Sequence, residues 1–401
     1  MGKQKKTITS IITVHGLFEK FYNIHRFFNR YQWDSDQLGL RTLAVIIRIL
    51  RLKELTIALD DTLVMKYGKC IFGRALHNNH ARKPNAPKYI YGHNWVVIGA
   101  IKYLGVFKKW FCFPFLAGLF IPKEYCTNSI PFKSRIAMSV GMLAKIKERI
   151  SVPVTLVADG LYAKKDLVRY CLANRISFLC RLRSDVALHR QPQQPKKRSR
   201  GRPRKYGTKI SMEKLSRSKH KFETLNLELY GKDRCVQVRT LKAYWKPAGD
   251  LIKVFIVKYP KKNKEIINYY FTTDLTMPTE KAVSLIAARW SIETTFKDLK
   301  EHFGFADWQV RKETPVTRSA TISCITYSLL ILWTYQESCE KQLELWDAVP
   351  WYSQKSTVSS SNMIQFFKNK CISINIISLL ATLPINQRKK QDILKLCSLA
   401  A

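Results

Sequence analysis

The chain has 401 residues, and its 69 Lys and Arg against 29 Asp and Glu give a formal charge of +40. An apolar fraction of 46% excludes a disordered chain and is enough for a large core shared by two or three domains. Ten cysteines without one Cys-x-x-Cys pair argue against a zinc ribbon or disulfide framework, and for reduced, mostly buried thiols in a cytoplasm.

A positive surplus of this size repels itself and calls for a polyanion, nucleic acid first and an anionic membrane second. The basic N-terminus lacks the apolar core and small-residue cleavage site of a signal peptide. Residues 1–54 read as helical, with Leu43, Ile46, Ile47 and Leu50 at helical spacing and Arg41, Arg48, Arg51 and Lys53 on the other side. Two readings fit this region: a small DNA-contacting unit, or a helical cap on the core.

Leu55–Thr62 is a β-type run closing in two acids, Asp60 and Asp61. After a basic loop from Lys66 to Lys88, strands are predicted at Asn94–Ile101 and Trp110–Leu119, and a helix at Pro131–Ile150. Val152–Asp159 is a fourth strand ending in Asp, Ala163–Asn174 a helix, and Ile176–Leu182 a fifth strand. The order β-β-β-α-β-α-β matches a ribonuclease H-like fold, a mixed sheet with helices on both faces. In that fold the first and fourth strands are neighbours, so acids at their ends converge.

The run Gln191–Lys209 is Pro-rich and basic and reads as a loop. Arg200-Gly-Arg-Pro-Arg204 has the form of an AT-hook core, in which Arg202 and Arg204 would enter a narrow minor groove; a solvated linker is the other reading. Strand-like runs at Phe222–Tyr230, Cys235–Ala243, Leu251–Tyr259 and Ile266–Thr272 form a β-rich insertion, and Met277-Pro-Thr-Glu280 reads as a helix start.

Arg289–Lys300 reads as one amphipathic helix. Ile292, Phe296, Leu299 and Phe303 form an apolar stripe, and Arg289, Glu293, Lys297 and Lys300 a charged row with a single carboxylate. A loop at Phe305–Lys312 follows. The apolar run Thr321–Tyr335 is shorter than a bilayer span and carries Ser323, Thr326, Ser328 and Thr334, so it reads as a core helix with no membrane role. The expected divisions are 1–54, a catalytic core at 55–185, a basic loop and β-rich insertion at 186–275, the rest of the core at 276–345, and a tail at 346–401.

The acids Asp61 (or Asp60), Asp159 and Glu293 are candidates for one site. Strand side chains alternate, so only one member of the Asp60–Asp61 pair can face Asp159. Carboxylates with few other ligands suit Mg²⁺, which keeps waters and takes phosphate oxygens, and two such ions about 4 Å apart suit in-line phosphoryl transfer on DNA.

These residues resemble the DDE transposases of bacterial insertion sequences, in the cut-and-paste branch marked by Tyr-x2-Arg-x3-Glu-x6-Lys. Arg289, Glu293 and Lys300 fall on the Arg, Glu and Lys positions, and Ile286 departs from the Tyr. Asp60-Asp-Thr62 is similar to the first-Asp motif, where the acid before Thr is the ligand, which selects Asp61; Val157-Ala-Asp159-Gly160 is similar to the second. The resemblance spans about Leu55 to Lys312. It implies Asp61, Asp159 and Glu293 as ligands of two Mg²⁺ ions, with Mn²⁺ able to substitute. It implies Arg289 and Lys300 as DNA-phosphate contacts, and Lys297 on the same charged row is a further candidate. It further implies a homodimer on transposon-end and target DNA in a bacterial cytoplasm, at the nucleoid when bound. The reaction implied is end cleavage followed by strand transfer; a catalytically silent transposase-derived DNA-binding protein and a ribonuclease H-like nuclease without strand transfer are the other readings.

Overall fold

The structure, a computed structural model, describes residues 6–14, 16–79, 85–192, 204–218, 222–261, 264–341 and 357–382. Contacts divide the chain into two compact units, one of Met1–Lys102 with Trp110–Ile325, the other of Tyr103–Lys109 with Thr326–Ala401.

The first unit opens with helices α1 (Ile8–Val14), α2 (Phe21–Asn29) and α3 (Ser35–Ile49). Asp34 starts α3 by accepting the Gln37 backbone N–H at 2.7 Å. Leu40, Leu43 and Ile46 then bury one stripe of it. A Cβ on Gly39 would stand 2.0 Å from the Phe115 carbonyl oxygen, so the helix touches strand backbone there and only glycine fits. Ile8, Ile12 and Phe28 bury together with Trp308. The N-terminal helices therefore do pack as a cap, while Arg41, Arg48, Arg51 and Lys53 stay exposed.

The sheet follows as β1 (Leu55–Met65), β2 (Ala75–Asn78), β3 (Tyr89–Leu104), β4 (Lys109–Phe120), then α4 (Arg135–Arg149), β5 (Val154–Ala158), α5 (Lys165–Ala173) and β6 (Ile176–Leu182). Strands β1 and β3 run antiparallel, while β1, β5 and β6 are parallel neighbours. All five residues of β5 are buried, as expected of a strand covered on both faces. Strand β2 lies inside the stretch the sequence reads as loop. Its four residues are too short for a pattern, and the ladder with β3 holds it.

Next come β7 (Leu188–His189), β8 (Lys209–Ile210), α6 (Met212–Arg217), β9 (Glu223–Leu229), β10 (Lys232–Trp245), β11 (Asp250–Lys261) and β12 (Lys264–Thr272). The last four correspond to the expected β-rich segment. They continue the main sheet, because β12 pairs with β6. The order β2-β3-β1-β5-β6-β12-β11-β10-β7-β8, with β4 on β3 and β9 on β10, makes one 12-stranded mixed sheet among the described residues. A large mixed sheet flanked by helices is compatible with a ribonuclease H-like fold.

Helices α7 (Thr279–Ala288) and α8 (Trp290–His302) precede the long α9 (Glu313–Lys341), with α10 (Ser360–Thr382) after it. The apolar window of α9 passes the length and hydropathy test for a membrane span, yet 67% of it is buried in the protein, as a core helix requires. In the second unit Trp333 packs on Phe366 and Phe367 at ring separations of 5.4 and 5.2 Å. The described cysteines are free thiols. Cys112, Cys171, Cys180 and Cys324 are buried, but Cys70, Cys235 and Cys339 are exposed, so burial is less general than composition suggests.

Candidate active site

The site forms where β1 leaves the buried part of the sheet. Residues Leu55–Leu59 are buried, and Asp60 and Asp61 are the first half-exposed positions. Register decides which acid faces which neighbour. Leu59 pairs with Ala158 across the parallel β1–β5 ladder, so one further step sets Asp60 alongside Asp159. In-register residues of adjacent strands point to one face, and successive residues alternate. Asp60 therefore shares a face with Asp159, and Asp61 points to the opposite one.

The contacts agree with the register. Arg289 Nη1 lies 3.0 Å from Asp60 Oδ2, and Arg289 Nη2 lies 2.8 Å from Glu293 Oε1. The Asp60 and Arg289 side chains are each only 17% exposed. Asp60 Oδ1 also accepts the Asp61 backbone N–H at 2.8 Å. Burial outweighs these partners and pushes the Asp60 carboxyl up to about 7. Burial opposes the charge of Arg289 too, yet Asp60, Glu293 and Asp159 together hold its guanidinium above the usual range. Asp61 meets other groups: the Tyr162 hydroxyl donates to its Oδ1 at 3.4 Å, and Arg135 Nε stands 3.7 Å from its Oδ2. The selection of Asp61 as the acid that meets Asp159 and Glu293 is thus not what this geometry brings together; Asp60 occupies that place.

The charged helix row is split by a local break. Arg289 has helical angles but sits between α7 and α8, its N–H bonded to Leu285 O. Below it Ile292, Phe296 and Leu299 are buried, as the apolar stripe predicts, and Phe303 is half-buried. The Lys300 ammonium donates to the Leu63 carbonyl of β1 at 2.9 Å, and burial lowers its pKa. This bond ties α8 to the sheet, while Lys297 is exposed. Ile286 is 7% exposed and belongs to a core cluster with Val157, Phe255 and Tyr270, so the position of the signature Tyr is filled by core packing. Arg204 is exposed; Arg202 and most of the AT-hook-like run lie outside the described residues.

Sequence reasoning missed Tyr230. It sits in the β9–β10 turn with φ 56°, followed by Gly231 with φ 70°. Its ring meets that of the half-exposed Trp290 edge-on at 6.5 Å, and Arg234 lies over it at 5.7 Å. Burial raises its pKa, with Arg289 lowering and Glu293 raising it, which places it over the start of α8. No local pattern marks it, because a hairpin distant in sequence delivers it.

The donor set is carboxylate only, and burial keeps the Asp60 carboxyl raised even beside Arg289. Such a set suits a hard divalent cation. Among the described residues no ready-made group of three His, Cys, Asp or Glu surrounds one point. Arg289 stands between Asp60 and Glu293 instead, filling the role of counter-cation.

The family described as DDE superfamily endonuclease matches residues 1–241. The match takes in Asp60, Asp61 and Asp159 and ends before α8. No curated protein matches the chain. With the matched family covering most of its length, the chain belongs to the DDE superfamily endonucleases, enzymes that act on DNA.

Proposed function

We propose that the chain is a transposase of the Tyr-Arg-Glu-Lys branch, cleaving DNA at insertion-sequence ends and transferring the strand into target DNA. The observation that carries this reading is the bridge from Asp60 through Arg289 to Glu293, at 3.0 and 2.8 Å, beside the strand end that bears Asp159. Asp60, Asp159 and Glu293 are the acids of the proposed site, with Asp60 in place of Asp61. They would hold two Mg²⁺ ions, or Mn²⁺, whose chemistry when bound is to activate the attacking oxygen and stabilise the leaving one.

The chain's own residues supply the rest. Arg289 neutralises the acids without DNA and can turn its guanidinium to a phosphate oxygen, for which its planar fork is suited. Lys297, exposed on the next turn, adds a phosphate contact, and Arg204 with the neighbouring Arg202 a second patch. Lys300 fixes α8, and so Glu293, against β1. A homodimer on DNA in the cytoplasm fits this reading and the charge.

The test is cleavage of DNA bearing the element's terminal inverted repeats by purified protein, with and without Mg²⁺. Glu293→Gln is expected to lower cleavage by on the order of a thousandfold with duplex binding retained. Unchanged cleavage removes Glu293 from the site, and cleavage without joining to a target marks a nuclease instead.

A further inference from the structure

The β2–β3 edge carries an aromatic patch that the proposed cleavage does not use. Tyr89 and Tyr91 are 52% and 46% exposed, and Leu76 on β2 is 39% exposed. Leu76 pairs with Tyr91 and Asn78 with Tyr89, so these side chains share one face. Each ring carries a cation. The Arg74 guanidinium lies 4.2 Å from the Tyr91 ring centroid and is fixed there by a 3.0 Å bond from its Nε to Lys66 O, while the Lys88 ammonium lies 5.4 Å from the Tyr89 ring. Tyr67, 81% exposed, is the second residue after β1.

The face matters. Asp60 pairs with Val97, Thr62 with Trp95 and Val64 with His93. The next pair on that face joins Lys66 to Tyr91, whose carbonyl accepts the Lys66 N–H at 3.0 Å. Asp60 and the tyrosines therefore stand on the same face of the sheet, six residues of β1 apart, or roughly 20 Å. Between them Trp95 and His93 are buried, and the face opens again at Tyr91.

We infer that Tyr89, Tyr91 and their two cations form a stacking platform for unpaired nucleotides of single-stranded DNA. Two rings at alternate positions of one strand lie about 7 Å apart, twice the ~3.4 Å rise of stacked bases, so bases seated on both must be separated from each other and from a complementary strand. Base–aromatic stacking is indifferent to sequence, and the guanidinium or ammonium over one face of each ring neutralises the phosphates that come with the bases. Charge complementarity with a chain of +40 favours this occupant over an apolar protein surface. The inference rests on the DNA-cleaving reading only for why single strands come near.

The experiment measures binding by the full-length protein, without divalent metal, of a fluorescent oligothymidylate and a blunt duplex of equal length. The double variant Tyr89→Ala with Tyr91→Ala is expected to bind the single strand roughly 10–100-fold more weakly and the duplex within about twofold of the parent. Tyr89→Phe with Tyr91→Phe keeps the rings and is expected to bind both as the parent does. Tyr89→Leu with Tyr91→Leu keeps apolar bulk and is expected to behave like the alanine pair, which serves if that pair does not fold. Unchanged single-strand binding by the leucine pair, or equal losses on both DNAs, overturns the platform. So does a change in self-association with single-strand binding intact, which would make the patch a protein contact. Because no cleavage is read, a protein that never cuts DNA can still pass this test, and one that cuts can fail it.

Discussion

Asp60 and Asp61 are neighbours of identical chemistry, and the fold gives them unlike surroundings. Asp60 bonds Arg289, which also holds Glu293, and burial pushes its carboxyl up to about 7. Asp61 looks to the other side, toward Tyr162 and Arg135 at longer range. One step along the strand thus separates an acid that is buried beside Arg289, and that the proposed reading makes an ion ligand, from one that ties β1 to the segment after Asp159. The side chain alone does not make a catalytic carboxylate; the pleat and the partner strand do.

The strongest way to break this contrast is to remove each acid in turn. Asp60→Asn is expected to lower metal-dependent cleavage by on the order of a thousandfold, because a ligand and its charge are lost together. Asp61→Asn is expected to cost about tenfold or less, through position alone. A cleavage assay on inverted-repeat DNA decides, and the reverse ranking would restore Asp61 as the ligand.

That ranking was out of reach of the sequence, and the reason is physical. The runs around Asp60 and Asp159 and the helix around Glu293 were legible, since short apolar strands ending in Asp and a 3.6-residue stripe are local patterns. Alternation also says that only one of the two adjacent acids can join the site. Which one depends on Leu59 meeting Ala158 about a hundred positions away, and resemblance to a motif chose the other. Lys300 shows the same limit, because its charge is visible in the helix row while its partner, the Leu63 carbonyl, belongs to another element. Tyr230 reaches α8 through the β9–β10 register, which no local pattern encodes. Conversely, the helical spacing of Leu43, Ile46, Ile47 and Leu50 is a local pattern, and in α3 and the residue after it Leu43, Ile46 and Leu50 are buried while Ile47 is half-buried.

Arg289→Gln probes the Asp60 side without touching an acid. It leaves the largely buried Asp60 and the half-buried Glu293 without their shared cation, and the metal-free protein is expected to lose about 1–3 kcal/mol of stability. Mg²⁺ should then raise the thermal midpoint of the variant more than that of the parent, since the ion takes the role of the missing guanidinium. Equal responses to Mg²⁺ would separate Arg289 from the metal-holding acids.

The pH dependence sharpens the contrast further. A carboxyl raised from 3.8 to about 7 in the folded chain leaves stability untouched below about pH 4. As pH rises toward 7 the unfolded chain ionises freely while the folded one resists, so stability falls across that window, by about 4 kcal/mol from this group without metal. Denaturant midpoints measured from pH 4 to 7 should show the fall in the parent and in Asp61→Asn, and lack it in Asp60→Asn. A fall that persists in Asp60→Asn belongs to another group.

The smallest effect lies on the Asp61 side. Tyr162 is fully buried, and burial together with Asp61 and Asp60 raises its pKa, so it remains a neutral donor. Its 3.4 Å contact to Asp61 is longer than the usual range for an O–H donor and is correspondingly weak. Tyr162→Phe removes that bond and keeps the ring in its packing, so stability should change by about 0.5 kcal/mol. Its value for the comparison lies in the kinetics. Tyr162 follows Asp159 by three residues, so losing its hold on Asp61 loosens the strand end that carries Asp60. Cleavage is expected to slow by about threefold with the Mg²⁺ concentration at half-maximal rate unchanged. A shifted Mg²⁺ dependence would instead assign the Asp61 side a direct part in holding the ion.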